Sequence, residues 1–246
     1  MFTLLQLSDC HFSADPDASY RGENPDTNLK RLLPACRALS PDGLILSGDV
    51  SEDASPASYR RIADLLRDLA PKRAWLPGNH DERDVMAEHL GSNYDAGPLL
   101  NWGGWEIVLL DSSRADDPRG HLDGERLNPL DSLTGRAPAM AFIHHQPIPV
   151  NAPWIDKYGM IDGERLWQRL APERGQAIGL KAIGFGHVHQ AFVGEYRGIT
   201  CLSAPSTVAN SQAETERFTP DPTGPKARWY KLWPEGRWLT GLVSVG

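Results

Sequence analysis

Short apolar runs rich in aliphatic residues punctuate the chain at Phe2–Leu7, Gly43–Leu46, Ala74–Leu76, Glu106–Leu110, Met140–Ile143 and Lys181–Phe185. Each is too short for a helix and reads as a buried strand. Between them, Ile62, Leu65, Leu66 and Leu69 fall on one apolar stripe, which predicts a helix over Ser58–Ala70 behind the start signal Ser55-Pro56. A second stripe, Leu29, Leu32, Leu33, Cys36 and Leu39, follows Asp26, and Pro34 inside it is expected to kink or shorten that helix. The alternation favours a layered α/β core over an all-β or all-α one.

Ser203–Lys226 is polar and carries Pro205, Pro220, Pro222 and Pro225, so it reads as a long loop. Two last strand candidates, Arg228–Leu232 and Trp238–Val245, are joined by the turn residues Pro234-Glu235-Gly236. With no internal repeat and no composition break to mark a linker, residues 1–246 are expected to form a single domain, with the polar loop and terminal strands at 203–246.

The charge balance narrows the partners. Against 25 basic residues stand 32 acidic ones, a net charge of −7 with a pI near 5.6. No general positive field exists to hold nucleic acid or an anionic membrane, so nucleic acid is not the expected partner. No apolar run approaches the roughly 20 residues that span a bilayer. The start reaches Asp9 without a basic segment, unlike a signal peptide. A cytoplasmic location is the expectation. The 3 cysteines, Cys10, Cys36 and Cys201, show no paired spacing and indicate neither a disulfide framework nor a thiolate metal site.

The histidines carry the chemistry. Leu5-Gln6-Leu7 runs into Asp9-Cys10-His11, Ile45-Leu46 into Gly48-Asp49, and Trp75-Leu76 into Gly78-Asn79-His80-Asp81. Phe142-Ile143 runs into His144-His145, and Gly184-Phe185 into Gly186-His187-Val188-His189. Ligands of open α/β sheets bind at the carboxyl ends of the strands, so these segments are expected to converge. Asp9 and His11, like His187 and His189, are spaced to project to one side of an extended segment. The glycines before Asp49, Asn79 and His187 suit sharp turns. Two carboxylates, one amide oxygen and four imidazoles without cysteine suit Zn²⁺, Mn²⁺ or Fe better than Ca²⁺. Two divalent ions opposed by Asp9, Asp49 and a bridging hydroxide leave about one positive charge, which a phosphodiester monoanion would neutralise.

The order Asp9-x-His11, Gly48-Asp49, Gly78-Asn79-His80-Asp81, His144-His145, Gly186-His187-x-His189 resembles the calcineurin-like metallophosphoesterase superfamily, and more narrowly the bacterial class III cyclic-nucleotide phosphodiesterases. The segment with Ala204-Pro205-Ser206-Thr207 and Phe218-Thr219 is similar to the carboxy-terminal part of the same enzymes. The resemblance implies an α/β fold, a two-sheet β-sandwich flanked by helices in four layers. It implies one metal on Asp9, His11, Asp49 and His189, and another on Asp49, Asn79, His144 and His187, with Asp49 bridging. It further implies that His80 contacts the phosphate and protonates the leaving alkoxide. The expected activity is hydrolysis of 3′,5′-cyclic AMP to 5′-AMP by a metal-bound hydroxide, with two Mn, Fe or Zn ions as cofactors. Gln146 departs from the pattern, which has proline or another histidine there.

Asn79, His80, His145 and Trp154 are the candidate substrate contacts. His145 in an extended segment can equally point away from the metals. Trp154 can stack on a nucleobase or pack its loop onto the domain. Asp111 is expected to be a structural hydrogen-bonding residue and Cys10 to face the core, while His89 and His121 have no assignment. The alternatives are the same chemistry on a glycerophosphodiester, a nucleotide-linked lipid precursor or a nucleic-acid end, or a non-catalytic scaffold. A homodimer stays open.

Overall fold

In the computed structural model, which describes residues 1–91, 94–95 and 97–245, all six apolar runs are strands. Three of them, β1 (Phe2–Leu7), β2 (Gly43–Ser47) and β3 (Lys72–Leu76), lie parallel in one sheet. The closing strands β10 (Lys226–Leu232) and β11 (Trp238–Ser244) pair antiparallel beside them, in the order β11-β10-β1-β2-β3. The second sheet has the order β4-β5-β6-β7-β9-β8. There β5 (Trp105–Leu110), β6 (Ala139–Ile143), β7 (Leu180–Phe185) and β9 (Ile199–Ser203) are parallel. β4 (Leu99–Trp102) and β8 (Phe192–Tyr196) pair antiparallel at its edges.

The edge strand β4 and the pair β8–β9 lie outside the expected elements. Gly103 and Gly104, at φ 60° and 83°, make the two-residue turn between β4 and β5. Arg197 and Gly198, at φ 52° and 77°, do the same between β8 and β9.

Three apolar clusters show how the layers stack. Leu4, Ile45, Leu76, Ile107, Met140 and Phe142 fill the space between the sheets. On the outer face of the first sheet, Leu5, Leu7, Leu44 and Leu46 pack on α1 (Pro25–Ala38), α2 (Pro56–Leu65) and α3 (Arg83–Leu90). On the outer face of the second, Val108, Ala141 and Ile183 pack on α4 (Gly124–Leu127), α5 (Pro153–Asp156) and α6 (Gly163–Arg169). A short helix, α7 (Pro172–Ala177), leads into β7. The result is the two-sheet sandwich flanked by helices. Among the described residues, no helix is long and apolar enough to cross a membrane.

Two helix expectations need correction. Pro34 does not shorten α1, which runs unbroken from its Asn24 cap to Ala38. Pro34 and Lys30, whose carbonyl loses its partner, are both exposed, so water can replace the missing bond. α2 stops at Leu65 rather than Ala70, because Arg67 and Leu69 bond back to Asp64 and Leu66 in tighter turns.

Candidate active site

The carboxyl ends of β1, β2, β3, β6 and β7 deliver Asp9, His11, Asp49, Asn79, His144, His187 and His189 to one end of the sandwich. The means differ from the expected extended geometry. Asp9, His11, Asp49, His187 and His189 all have left-handed backbones, with φ of 52°, 48°, 48°, 67° and 49°. For a non-glycine residue that conformation costs about 1–3 kcal/mol, and it persists only where the surroundings over-determine it. Here they do: the Asp9 amide donates to Gly48 O at 3.0 Å, and the Cys10 and His11 amides to Asp49 O at 2.7 and 3.0 Å. The His187 amide donates to the Asp9 carboxylate at 3.0 Å, and the His80 amide to Asp49 Oδ1 at 2.9 Å. Gly48, at φ 94°, and Gly78 have no room for a side chain: a Cβ would strike the His144 ring and the Asp49 carboxylate respectively.

The imidazole tautomers follow from their partners. His11 Nδ1 meets Glu52 Oε2 at 2.7 Å, His189 Nδ1 meets Ala209 O at 2.7 Å, and His144 Nδ1 meets Ser47 O at 2.8 Å. A carboxylate or carbonyl oxygen only accepts, so each Nδ1 donates and each Nε2 points inward, where it offers a lone pair whenever the ring is neutral. Two such lone pairs, on His11 and His189, face each other at 3.2 Å. Three further buried atoms, Asn79 Oδ1, His144 Nε2 and His187 Nε2, have no hydrogen-bond partner among the described residues. Buried acceptors without donors are costly unless a cation lies among them. Ligand-type atoms of Asp9, His11 and His189 lie within 4.8 Å of one another, as do those of Asp9, Asp49 and His144. Asp49 Oδ2 sits 3.9 Å from His11 Nε2 and 3.4 Å from His144 Nε2, between the two groups. The donor set therefore fits metal ions.

Charge follows the same plan. Burial opposes ionisation of both carboxylates, yet His189 holds Asp9 down to about 2 and His144 holds Asp49 well below the usual range. Burial also opposes the His144 cation, but Asp49 outweighs it and raises His144 to about 9. Burial keeps His11 and His187 below the ordinary histidine value. His80 goes the other way: burial lowers it, and Asp49 and Glu52 together raise it above the ordinary value.

A cavity of about 160 Å³ opens over these donors, lined by Tyr20, Arg21, Asn79, His80, Trp154 and Tyr158 among others. A larger groove of about 280 Å³, with Trp75, Pro77 and Pro129, lacks such a donor set, so chemistry and not volume marks the site. His80 is half-buried at the cavity wall, its Nδ1 3.2 Å from Glu52 Oε2. Trp154 faces the same cavity and also packs edge-on to Phe218, with centroids 5.3 Å apart.

His145 is not brought to the cavity. It is fully buried, with Nδ1 accepting from Ser112 Oγ at 2.7 Å and Nε2 donating to Pro118 O at 3.2 Å, so neither nitrogen is free for a substrate. Its expected substrate contact is corrected to a structural role. Gln146 donates to Ile155 O at 3.2 Å and ties the neighbour of Trp154 to the end of β6. Asp111 accepts from Arg83 and Ser113, and Cys10 lies in the helix-side core, its thiol pushed up to about 12 by burial.

Several participants were given no role by the sequence, although Asp81 and Ser206 stand within its motifs. Glu52 joins His11 to His80, and Tyr20 stacks on His11 with centroids 3.7 Å apart. Asp81 clamps two strand-end loops by accepting from the amides of Val50, Ser51 and Gly78. The first half of the expected 203–226 loop is buried against the site: Ser206 Oγ donates to Asp9 O at 2.8 Å, and Ala209 O orients His189. Of these, Glu52, Tyr20 and Ala209 are marked by no motif or periodicity.

Known proteins resemble the chain over nearly its whole length. The profile of the calcineurin-like phosphoesterases matches residues 2–191. The 3′,5′-cyclic adenosine monophosphate phosphodiesterase of Pseudomonas aeruginosa is 33% identical over 248 residues, covering 98% of this chain and 89% of that protein. A 3′,5′-cyclic-nucleotide phosphodiesterase of Nostoc is 29% identical over 249 residues, covering 99% and 92%. A dimetal phosphatase from Danio rerio superposes with a TM-score of 0.65 over 100% of this chain and 99% of that one at 13% identity, a likeness of fold. With its profile match, its near-complete overlap with these relatives and its strand-end donors, the chain belongs to the calcineurin-like phosphoesterase family.

Proposed function

We propose that the chain hydrolyses the 3′,5′-cyclic phosphodiester of cyclic AMP to 5′-AMP at two metal ions sharing Asp49. The carrying observation is the position of Asp49 Oδ2, between the inward Nε2 atoms of His11 and His144. Asp9, His11 and His189 complete one donor group, and Asn79, His144 and His187 the other. The nitrogen and oxygen donors suit Mn, Fe or Zn. The naming of the curated relatives as cyclic-nucleotide phosphodiesterases supports the substrate.

When bound, a pair of divalent ions supplies Lewis acidity to the phosphoryl oxygens and a water nucleophile at neutral pH. The residues of the chain do the rest. The cavity floor would receive the phosphate beside the donors that would hold the ions. Asn79 and His80 both line the cavity, where a bound phosphate would meet them. Glu52 engages His80 Nδ1, which leaves the Nε2 proton to face the substrate. As the bond from water oxygen to phosphorus forms and the P–O3′ bond breaks, that proton passes to O3′. The raised basicity of His80 favours the protonated ring that can donate this proton.

Turnover by Mn²⁺-reconstituted protein tests the reading. Cyclic AMP and bis(p-nitrophenyl) phosphate should be cleaved with higher kcat/KM than p-nitrophenyl phosphate. A preference for the monoester would overturn the assignment.

A further inference from the structure

The floor of the site holds a phosphate and says little about what is attached to it. Two grooves lead away from the cavity. One shares Asn79 and His80 with it and continues past Arg83, Arg114 and Arg126, without an aromatic side chain in its lining. The other shares Arg21 and continues past Phe218, Asn28 and Asn210. At its mouth, the Arg21 guanidinium carbon lies 4.1 Å from the Phe218 ring centre, 5.5 Å from Trp154 and 5.4 Å from Tyr20. Arg21 Nε donates to Tyr20 Oη at 3.2 Å, and no carboxylate pairs with this arginine among the described residues. Trp154 and Phe218 meet edge to face, at 88°.

We propose that Arg21, Trp154 and Phe218 form a stacking clamp for the purine base of the nucleotide, on the Phe218 side of the metal centre and not on the Arg114 side. The proposal rests on the cyclic-nucleotide reading of the same site. Every base offers a π-face, and both aromatic rings and planar guanidinium groups stack on it. Apart from Nε, which Tyr20 engages, the Arg21 guanidinium keeps N–H donors for acceptors on the base. A second phosphate is the poorer occupant, since the metal centre already meets the phosphate and one cation among three rings offers it little. Arg21 itself has a left-handed backbone, φ 51°, which fixes where its side chain leaves the chain. The clamp also gives the second half of the 203–226 segment a role: it carries Phe218 from the end of the sandwich to the rim.

Calorimetric titration of the Mn²⁺-loaded protein with 5′-AMP and with ribose 5-phosphate isolates the base from the sugar phosphate. Stacking of one base is worth about a 5- to 100-fold tightening. The wild type should bind 5′-AMP at least about 10-fold more tightly than ribose 5-phosphate, and R21A and F218L should each shrink that ratio about 5-fold or more. R21K, which keeps the charge and loses the plane, should behave like R21A. Arg21 is exposed, so R21A is expected to fold, and an unchanged ribose 5-phosphate affinity reports an intact floor. A ratio near one in the wild type, or one that moves in R114A and not in R21A or F218L, overturns the clamp. Cyclic AMP turnover in the wild type with a ratio near one leaves the proposed function standing and removes only the clamp. A base preference without such turnover keeps the clamp as a nucleotide subsite and removes the substrate.

Discussion

At the floor of the site, seven donors hang from strand-end turns whose backbone amides, carbonyls and buried rings hold one another in place. At the rim, Tyr20 and Arg21 come from a loop, Trp154 from the short helix α5 and Phe218 from the segment after β9, and they touch mainly through rings and one guanidinium. The floor stores strain in five left-handed residues and offsets it with hydrogen bonds, so it has one arrangement available. The rim is more exposed, and Arg21, Trp154 and Phe218 make none of the floor's hydrogen bonds given above, whereas Tyr20 stacks on His11. The proposed function assigns phosphate chemistry to the first region, and the proposed clamp assigns discrimination among bases to the second. Substitutions can set the two regions apart.

The floor should fail as a unit. Asp49→Ala removes the carboxylate shared by both donor groups, so metal content after Mn²⁺ reconstitution should fall by at least one equivalent and hydrolysis of every ester to the assay background. Metal retained undiminished, read by elemental analysis, would show that Asp49 is not shared. His80→Ala should keep its metal and lose about 10²- to 10⁴-fold in kcat on cyclic AMP, whose alkoxide needs a proton, and less on a p-nitrophenyl ester. Equal losses on both would leave His80 a positioning role for phosphate only.

Glu52 lies between these effects, since it touches His11 and His80 and lines no part of the cavity. Hydrogen-bond partners of metal ligands are worth about 10- to 100-fold in metal affinity. Glu52→Ala should weaken Mn²⁺ binding by that factor and Glu52→Gln, which retains an acceptor oxygen, by less. An unchanged affinity in both would detach Glu52 from the centre.

A smaller effect follows from protonation. His144 is raised to about 9 by Asp49, so at pH 7 it carries a proton that an entering cation must displace. Mn²⁺ affinity should therefore rise about tenfold per pH unit up to about pH 9 and flatten above it. Calorimetry in buffers of differing ionisation heat should register about one proton released on binding at pH 7. Proton release of zero would mean that His144 is not displaced by metal.

The two regions also differ in how far the chain alone betrays them. The floor was legible because each donor sits just beyond an apolar run, and strand ends in an α/β sheet converge regardless of loop detail. The left-handed turns were not, since Asp9 and His11 look the same in sequence whether the segment is extended or coiled. Among the strands, β4 was missed although Trp102-Gly103-Gly104-Trp105 carries a two-residue hairpin turn, whereas Arg197-Gly198 is a weaker cue for β8 and β9. Pro34 misled because its effect depends on which face of α1 it occupies. His145 misled because adjacency to a ligand says nothing of which way a ring points. The rim was largely illegible: Trp154 could be suspected, but Arg21 and Phe218 lie almost 200 positions apart and meet only through the path of the segment after β9.

The shared carboxylate is the centre of the account, and anomalous diffraction from crystals grown with Mn²⁺ addresses it directly. The expected result is two peaks about 3.5–4 Å apart flanking Asp49. One should lie within bonding distance of Asp9, His11 and His189, and the other of Asn79, His144 and His187. A single peak, or two peaks of which one lacks Asp49, would contradict it.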